Sequence, residues 1–132
     1  MDDSPGTSPD APLPLLVACL CAEWCGTCRD YRPLMVQALA SFGPGSVTTA
    51  WVDIEDDDEV VGTLDIENFP TLLIARGDAV LFFGTVTPHG QTLTRLVQQA
   101  LQGHLAAPPV APAEAAEVAS LPARVRAWRG RQ

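Results

Sequence analysis

The sequence predicts a three-layer α/β/α sandwich on a mixed central sheet of about four strands, and two features carry that expectation. Short apolar runs of aliphatic and β-branched residues alternate with segments whose apolar positions recur every three or four residues. The alternation then ends in two apolar runs separated only by Arg76-Gly77-Asp78, a hairpin signal. A β-α-β-α order closed by a hairpin requires parallel and antiparallel strands in one sheet, with helices on both faces. The 132 residues suit one domain of ordinary size.

Residues 1–14 hold four prolines and no apolar period, so they read as a disordered leader. LLVACLCA (15–22) reads as a buried strand covered on both faces. From Gly26 to Phe42, Tyr31, Met35, Ala38, Leu39 and Phe42 mark one stripe of a helix, with Pro33 inside it predicting a kink and Gly43-Pro44 stopping it. SVTTAWVDI (46–54) reads as a second strand. EDDDEVVGTLDI (55–66) opens with five acids where the dipole of a short helix favours them. PTLLIA (70–75) and AVLFFG (79–84) form the antiparallel pair. Thr87 and Pro88 read as an N-cap and first-turn proline, and Leu93, Leu96, Val97, Ala100 and Leu101 as the buried face of a helix ending near Gly103. The organisation expected is a leader (1–14), a folded domain (15–103) and an Ala/Pro-rich tail (104–132). That tail is read as carrying a turn or two of helix around Ala113 to Leu121 before an arginine-rich, solvated end.

Eight basic residues, all arginine, against sixteen acidic ones give a net charge of −8. Such a surface repels phosphate backbones and anionic lipid headgroups, which argues against nucleic-acid and membrane partners. The apolar run Leu13 to Ala22 is interrupted by Pro14 and falls short of the ~20 residues that span a bilayer. No positive charge precedes it, as a secretory signal would require. The expected compartment is therefore the cytoplasm, where paired cysteines are more often catalytic or metal-binding than structural.

The chemistry is carried by Glu23-Trp24-Cys25-Gly26-Thr27-Cys28-Arg29, a CxxC between a buried strand and a helix start. Orphan amides and the dipole at a helix N-terminus favour a thiolate, which makes Cys25 the attacking nucleophile. Cys28, one turn along, is placed to expel a mixed-disulfide partner and acts as the resolving thiol. A CxxC is also half of a zinc site, but His89 and His104 lie far off in sequence. Four thiols within ten residues offer a second metal reading, against which Cys19 reads as a small buried hydrophobe. No metal and no cofactor beyond the redox-active Cys25–Cys28 dithiol are expected.

The segment AEWCGTCRDYRP (22–33) is similar to the active-site segment of the thioredoxin family, and Phe69-Pro70-Thr71 resembles its cis-proline loop. The resemblance covers roughly residues 15 to 103 and includes Gly84 after the last strand. It implies a thioredoxin-like fold lacking the first strand and helix of typical members. It also implies a thiol–disulfide oxidoreductase acting on protein disulfides, supplied with electrons by a dithiol or flavoprotein reductase. The site implied adds Trp24, Gly26, Thr27, Phe69 and Pro70 as substrate-binding residues, with the Phe69 backbone pairing to an extended peptide.

Three departures qualify that reading. Cys19 stands where the family has a buried aspartate that moves protons for the resolving cysteine, and a buried thiol accepts protons poorly near neutrality. Thr27 replaces the proline of the most reducing members, which is expected to shift the potential upward. Cys21 stands where the family usually has an aromatic residue. Its alternatives are an inert thiol, a glutathionylated one, or a partner to Cys19 or to a CxxC cysteine, with Cys19 the worst placed. A missing first strand leaves a sheet edge for the leader, the tail or a second subunit to cover, so a monomer or a weak dimer is expected. The alternative function is a non-catalytic redox-sensing or partner-binding module using the Phe69-Pro70 groove and the acidic 55–59 face.

Overall fold

A computed structural model describes residues 14–22, 25–42, 45–62, 66, 69–105 and 115–130. The first thirteen residues, Trp24 and the Gly43-Pro44 stop lie outside the described residues. In chain order the elements are β1 (Leu15–Cys21), α1 (Gly26–Leu39), β2 (Val47–Asp53), α2 (Asp58–Val61), β3 (Thr71–Arg76), β4 (Ala79–Thr85), α3 (Gly90–Leu101) and α4 (Ala115–Gly130).

The four strands form one mixed sheet in the order β2-β1-β3-β4. β1 runs parallel to β2, with Cys19 opposite Trp51, and antiparallel to β3, with Leu20 opposite Thr71. Every residue of β1 is buried because the strand is central and covered on both faces, as its unbroken apolar run requires. Successive side chains point to opposite faces. Leu16, Ala18 and Leu20 therefore join one core layer, while Leu15, Val17, Cys19 and Cys21 join the other.

The second of these layers is closed by α1 and α3. Helix α1 presents Cys28, Tyr31, Met35 and Leu39 inward and continues across Pro33, whose ring stays exposed. Helix α3 presents Leu93, Val97 and Ala100. It begins two residues later than Thr87-Pro88 predicts: His89 is the N-cap, and the Thr87 hydroxyl instead meets that of Thr92 at 3.0 Å. Its end follows expectation. Gly103 adopts φ +74°, which lets the His104 N–H reach the Gln99 carbonyl at 2.8 Å and the Gly103 N–H reach that of Ala100 at 3.1 Å.

The opposite layer is closed by α2 and α4, and here the sequence reading is corrected. The segment read as a tail holds a 16-residue helix, α4, whose Val118, Leu121, Val125 and Trp128 are buried with Leu16, Val52, Val60 and Leu73. Each such side chain is worth roughly 1.5–3 kcal/mol when fully withdrawn from water, ample reason for the helix to dock. The arginines are not all solvated either. Arg124 donates to the Glu117 carbonyl at 2.8 Å and sits 3.5 Å from the Glu117 carboxylate, and Arg126 donates to the Gly77 carbonyl in the β3–β4 turn.

The acidic run builds a turn ahead of α2. Asp53 Oδ1 accepts from the Glu55 and Asp56 amides at 2.9 and 3.2 Å, and Asp57 Oδ2 accepts from the Asp53 amide at 3.2 Å. Asp57 Oδ1 also accepts from the Trp128 indole N–H at 3.1 Å, tying α4 to the end of β2. With no strand beyond it among the described residues, β2 is an edge. A groove of about 590 Å³ runs along it between α1 and α4, with Met35, Thr49, Trp51 and Trp128 among its walls.

Candidate active site: a sulfur cluster where β1 passes into α1

The site lies at the C-terminal end of β1. The chain leaves the sheet after Cys21, and the Cys25 N–H donates to the Ala22 carbonyl at 3.0 Å before the first helical turn begins. Cys25 is the N-cap of α1, with extended backbone angles and no side-chain capping bond. Its side chain is half-buried, while Gly26 and Thr27 are exposed. Cys28, one turn on, belongs to the inward stripe and is 1% exposed.

Cys19, Cys21 and Cys28 share one buried cluster, against which Cys25 and Phe69 pack. Cys21 and Cys28 are joined in a disulfide with their Cα atoms 5.9 Å apart. The Cys25–Cys28 bond expected from the sequence is therefore not the bond formed here. The reason is positional: odd-numbered residues of β1 point toward α1, so Cys21 faces the same layer as Cys28. Of the alternatives left open for Cys21, the structure realises pairing with a CxxC cysteine. Cys19 is a free thiol, completely buried, with its sulfur 3.6 Å from that of Cys21. Burial pushes its pKa up to about 12, against a weaker opposing pull from Arg32.

Tyr31 shares that layer, and its hydroxyl has no hydrogen-bond partner among the described residues. Burial first, and the nearby Cys19 second, push its pKa upward as well. Beside Cys28 a cavity of about 380 Å³ is lined by charges of both signs, Arg29 and Arg32 facing Asp53, Asp56 and Asp57. Arg32 also stacks over the Trp51 ring, 5.1 Å from its centroid.

The Phe69–Pro70 peptide bond is cis. Because Leu20 pairs with Thr71 in an antiparallel ladder, the next residue on each strand brings Pro70 alongside Cys21. Pro70 is buried and Phe69 half-buried. The structure thus gathers Cys25, Gly26, Thr27, Cys28, Phe69 and Pro70 at one end of the sheet, and Trp24 lies outside the described residues. Among the described residues no cluster of three or more His, Cys, Asp or Glu is arranged to hold a metal ion, and no helix is long and apolar enough to cross a membrane.

Comparison with known proteins fits this geometry. The family model for thioredoxin matches residues 11–99, and the chain belongs to the thioredoxin family. It is 30% identical over 59 residues to a thioredoxin of Rhodospirillum rubrum, an overlap of 45% of this chain and 56% of that one. It is 32% identical over 60 residues to a thioredoxin of Chlorobaculum thiosulfatiphilum, covering 46% and 55% respectively. The chain thus spans little more than half the length of these relatives. Among solved structures, the thioredoxin of Trypanosoma brucei brucei superposes with a TM-score of 0.58 at 26% identity, over 67% of this chain and 76% of that one.

Proposed function

We propose that this protein is a thiol–disulfide oxidoreductase that reduces or exchanges disulfides in protein substrates. The observation that carries the reading is the pairing of positions at the start of α1: a half-buried thiol at the N-cap, and one turn later a buried cysteine on the same cluster. The Cys25 thiolate attacks a substrate disulfide, forming a mixed disulfide and releasing one substrate thiol. In the reduced protein, with the Cys21–Cys28 bond opened, the Cys28 thiol then attacks Cys25, closing the intramolecular bond and releasing the second substrate thiol. Gly26 and Thr27, exposed beside Cys25, and the Phe69-Pro70 loop form the surface on which an extended peptide lies, with Trp24, which precedes Cys25 in the sequence, as a further contact. A dithiol or flavoprotein reductase in the cytoplasm returns the electrons, and the protein works as a monomer or as a weak dimer through the β2 edge.

The test is insulin disulfide reduction driven by dithiothreitol, followed by turbidity. Wild type is expected to accelerate it and Cys25→Ser to fall to background; wild-type activity no higher than the uncatalysed rate refutes the proposal. One observation favours a second reading, a redox-sensing module: in the bond seen here Cys28 is held by Cys21, which leaves Cys25 without its resolving partner. The same assay separates the two, since a sensor has no turnover.

A further inference from the structure

We propose that Cys21 is a further redox-active residue, a second partner for Cys28, so that the protein has two interconvertible oxidised forms with Cys25 as the entrance to the inner one. The inference rests on the proposed function in taking Cys25 as the attacking thiol.

The observed disulfide joins two residues that are each 1% exposed, within a cluster that also contains Cys19. Thiol–disulfide exchange requires a thiolate to reach a sulfur; at 1% exposure each residue offers a reductant from solvent little surface, and the approach to Cys28 leads through the charged cavity beside it. Cys25 is better placed, because it packs on the same cluster and lies one helical turn from Cys28.

The interconversion needs no outside oxidant. Once a substrate has been reduced, the bond formed is Cys25–Cys28. The Cys21 thiolate attacks the Cys28 sulfur, the Cys25–Cys28 bond breaks, and Cys25 leaves as a thiolate that takes up the proton Cys21 gave up. Two electrons remain missing from the cluster throughout, and only the partner of Cys28 changes. The reverse step returns the oxidising equivalent to the half-buried position where a reductase reaches it. In the inner form Cys25 is free but has no resolving thiol, so a mixed disulfide formed there persists. Cys19 does not extend the chain: it stands two residues from Cys21 on one face of β1, a spacing poorly placed for a disulfide, and their sulfurs remain 3.6 Å apart.

Peptide mapping tests the pairing directly, because cleavage after Glu23 separates Cys21 from both Cys25 and Cys28. Full-length protein oxidised with one equivalent of a small disulfide, blocked with an alkylating agent and cleaved is expected to yield cross-linked peptides, and Cys21→Ala to yield only a bond within the C-terminal fragment. Cys25→Ser is expected to retain the cross-link in every molecule, and its native-state reduction by dithiothreitol to be at least about tenfold slower than that of wild type, the difference vanishing in denaturant. Circular dichroism confirms that each variant is folded, and Cys21→Ser stands in for Cys21→Ala if the latter is not. Absence of the cross-link in both wild type and Cys25→Ser, or equal reduction rates with and without Cys25, overturns the proposal. Cross-linking that depends on Cys21 in a protein that fails to reduce insulin defeats the catalytic reading while upholding the second pairing. Insulin reduction without any cross-link does the opposite.

Discussion

Replacing Cys19 with alanine is expected to reverse its effect on stability as the pH is raised. The thiol is completely buried, and its pKa rises from an ordinary 9.0 to about 12 on folding because burial disfavours the anion. Below pH 9 the group is protonated in both states and stability does not depend on it. Between pH 9 and 12 the unfolded chain gives up the proton while the folded chain keeps it, so stability falls as the pH rises, at up to ~1.4 kcal/mol per unit. From pH 8 to pH 10 this amounts to about 1.4 kcal/mol. Alanine removes the titration but loses the sulfur's contacts in the core, which costs about 1 kcal/mol at neutral pH. The two stability curves are therefore expected to meet near pH 10. The measurement is urea unfolding at half-unit steps from pH 7 to 10.5, in a Cys21→Ala, Cys25→Ser, Cys28→Ala background, where no disulfide remains for the Cys19 thiolate to attack. Equal alkaline slopes with and without the Cys19→Ala substitution would refute the assignment of this thiol to the dry interior.

The remaining expectations concern packing and polar satisfaction. Leu121→Ala, at a position with no exposure on α4, is expected to lower unfolding stability by about 2–5 kcal/mol in urea titration, and no loss would mean that α4 does not dock. Tyr31→Phe removes a buried hydroxyl that has no partner among the described residues, so calorimetry should find it neutral or stabilising by up to about 1 kcal/mol. Gly62 holds φ +61°, and a Cβ there would run into the Arg124 guanidinium and the Glu117 carboxylate of α4. Gly62→Ala should therefore cost about 1 kcal/mol or more, read as a fall in Tm.

Much of the fold was legible because it is written in local patterns. β1 announced itself as an uninterrupted apolar run, and the stripe of α1 as apolar residues at helical spacing, because a central strand and a one-sided helix each have only one way to be buried. Helix α4 was hidden for the opposite reason. Val118, Leu121, Val125 and Trp128 recur at helical spacing, but they stand in an alanine-rich segment with Pro122 among them. Proline in a helix interior costs ~3 kcal/mol, so propensity argued against a helix that tertiary burial supports. At the site, the positions of Cys25, Cys28 and Pro70 followed from the motifs. The partner of Cys28 did not, since three other cysteines lie within nine residues of it and only the direction of β1 side chains favours Cys21.

The placement of α4 also bears on the chemistry. Among the described residues no strand neighbours β2 on its outer side. In this chain the C-terminal helix covers one face of the sheet, burying Val118, Leu121, Val125 and Trp128, but leaves the β2 edge lined by a groove. Its last turns reach the acidic turn through the Trp128–Asp57 hydrogen bond, and Trp128 also borders the charged cavity beside Cys28. Helix α4 thus becomes a wall of the cavity next to Cys28. On that side Cys28 borders space shared with Arg29, Arg32 and three aspartates, while the buried Cys19 keeps its proton. On the proposed mechanism, the groups placed to pass a proton to or from Cys28 are therefore the carboxylates that line this cavity rather than the dry Cys19.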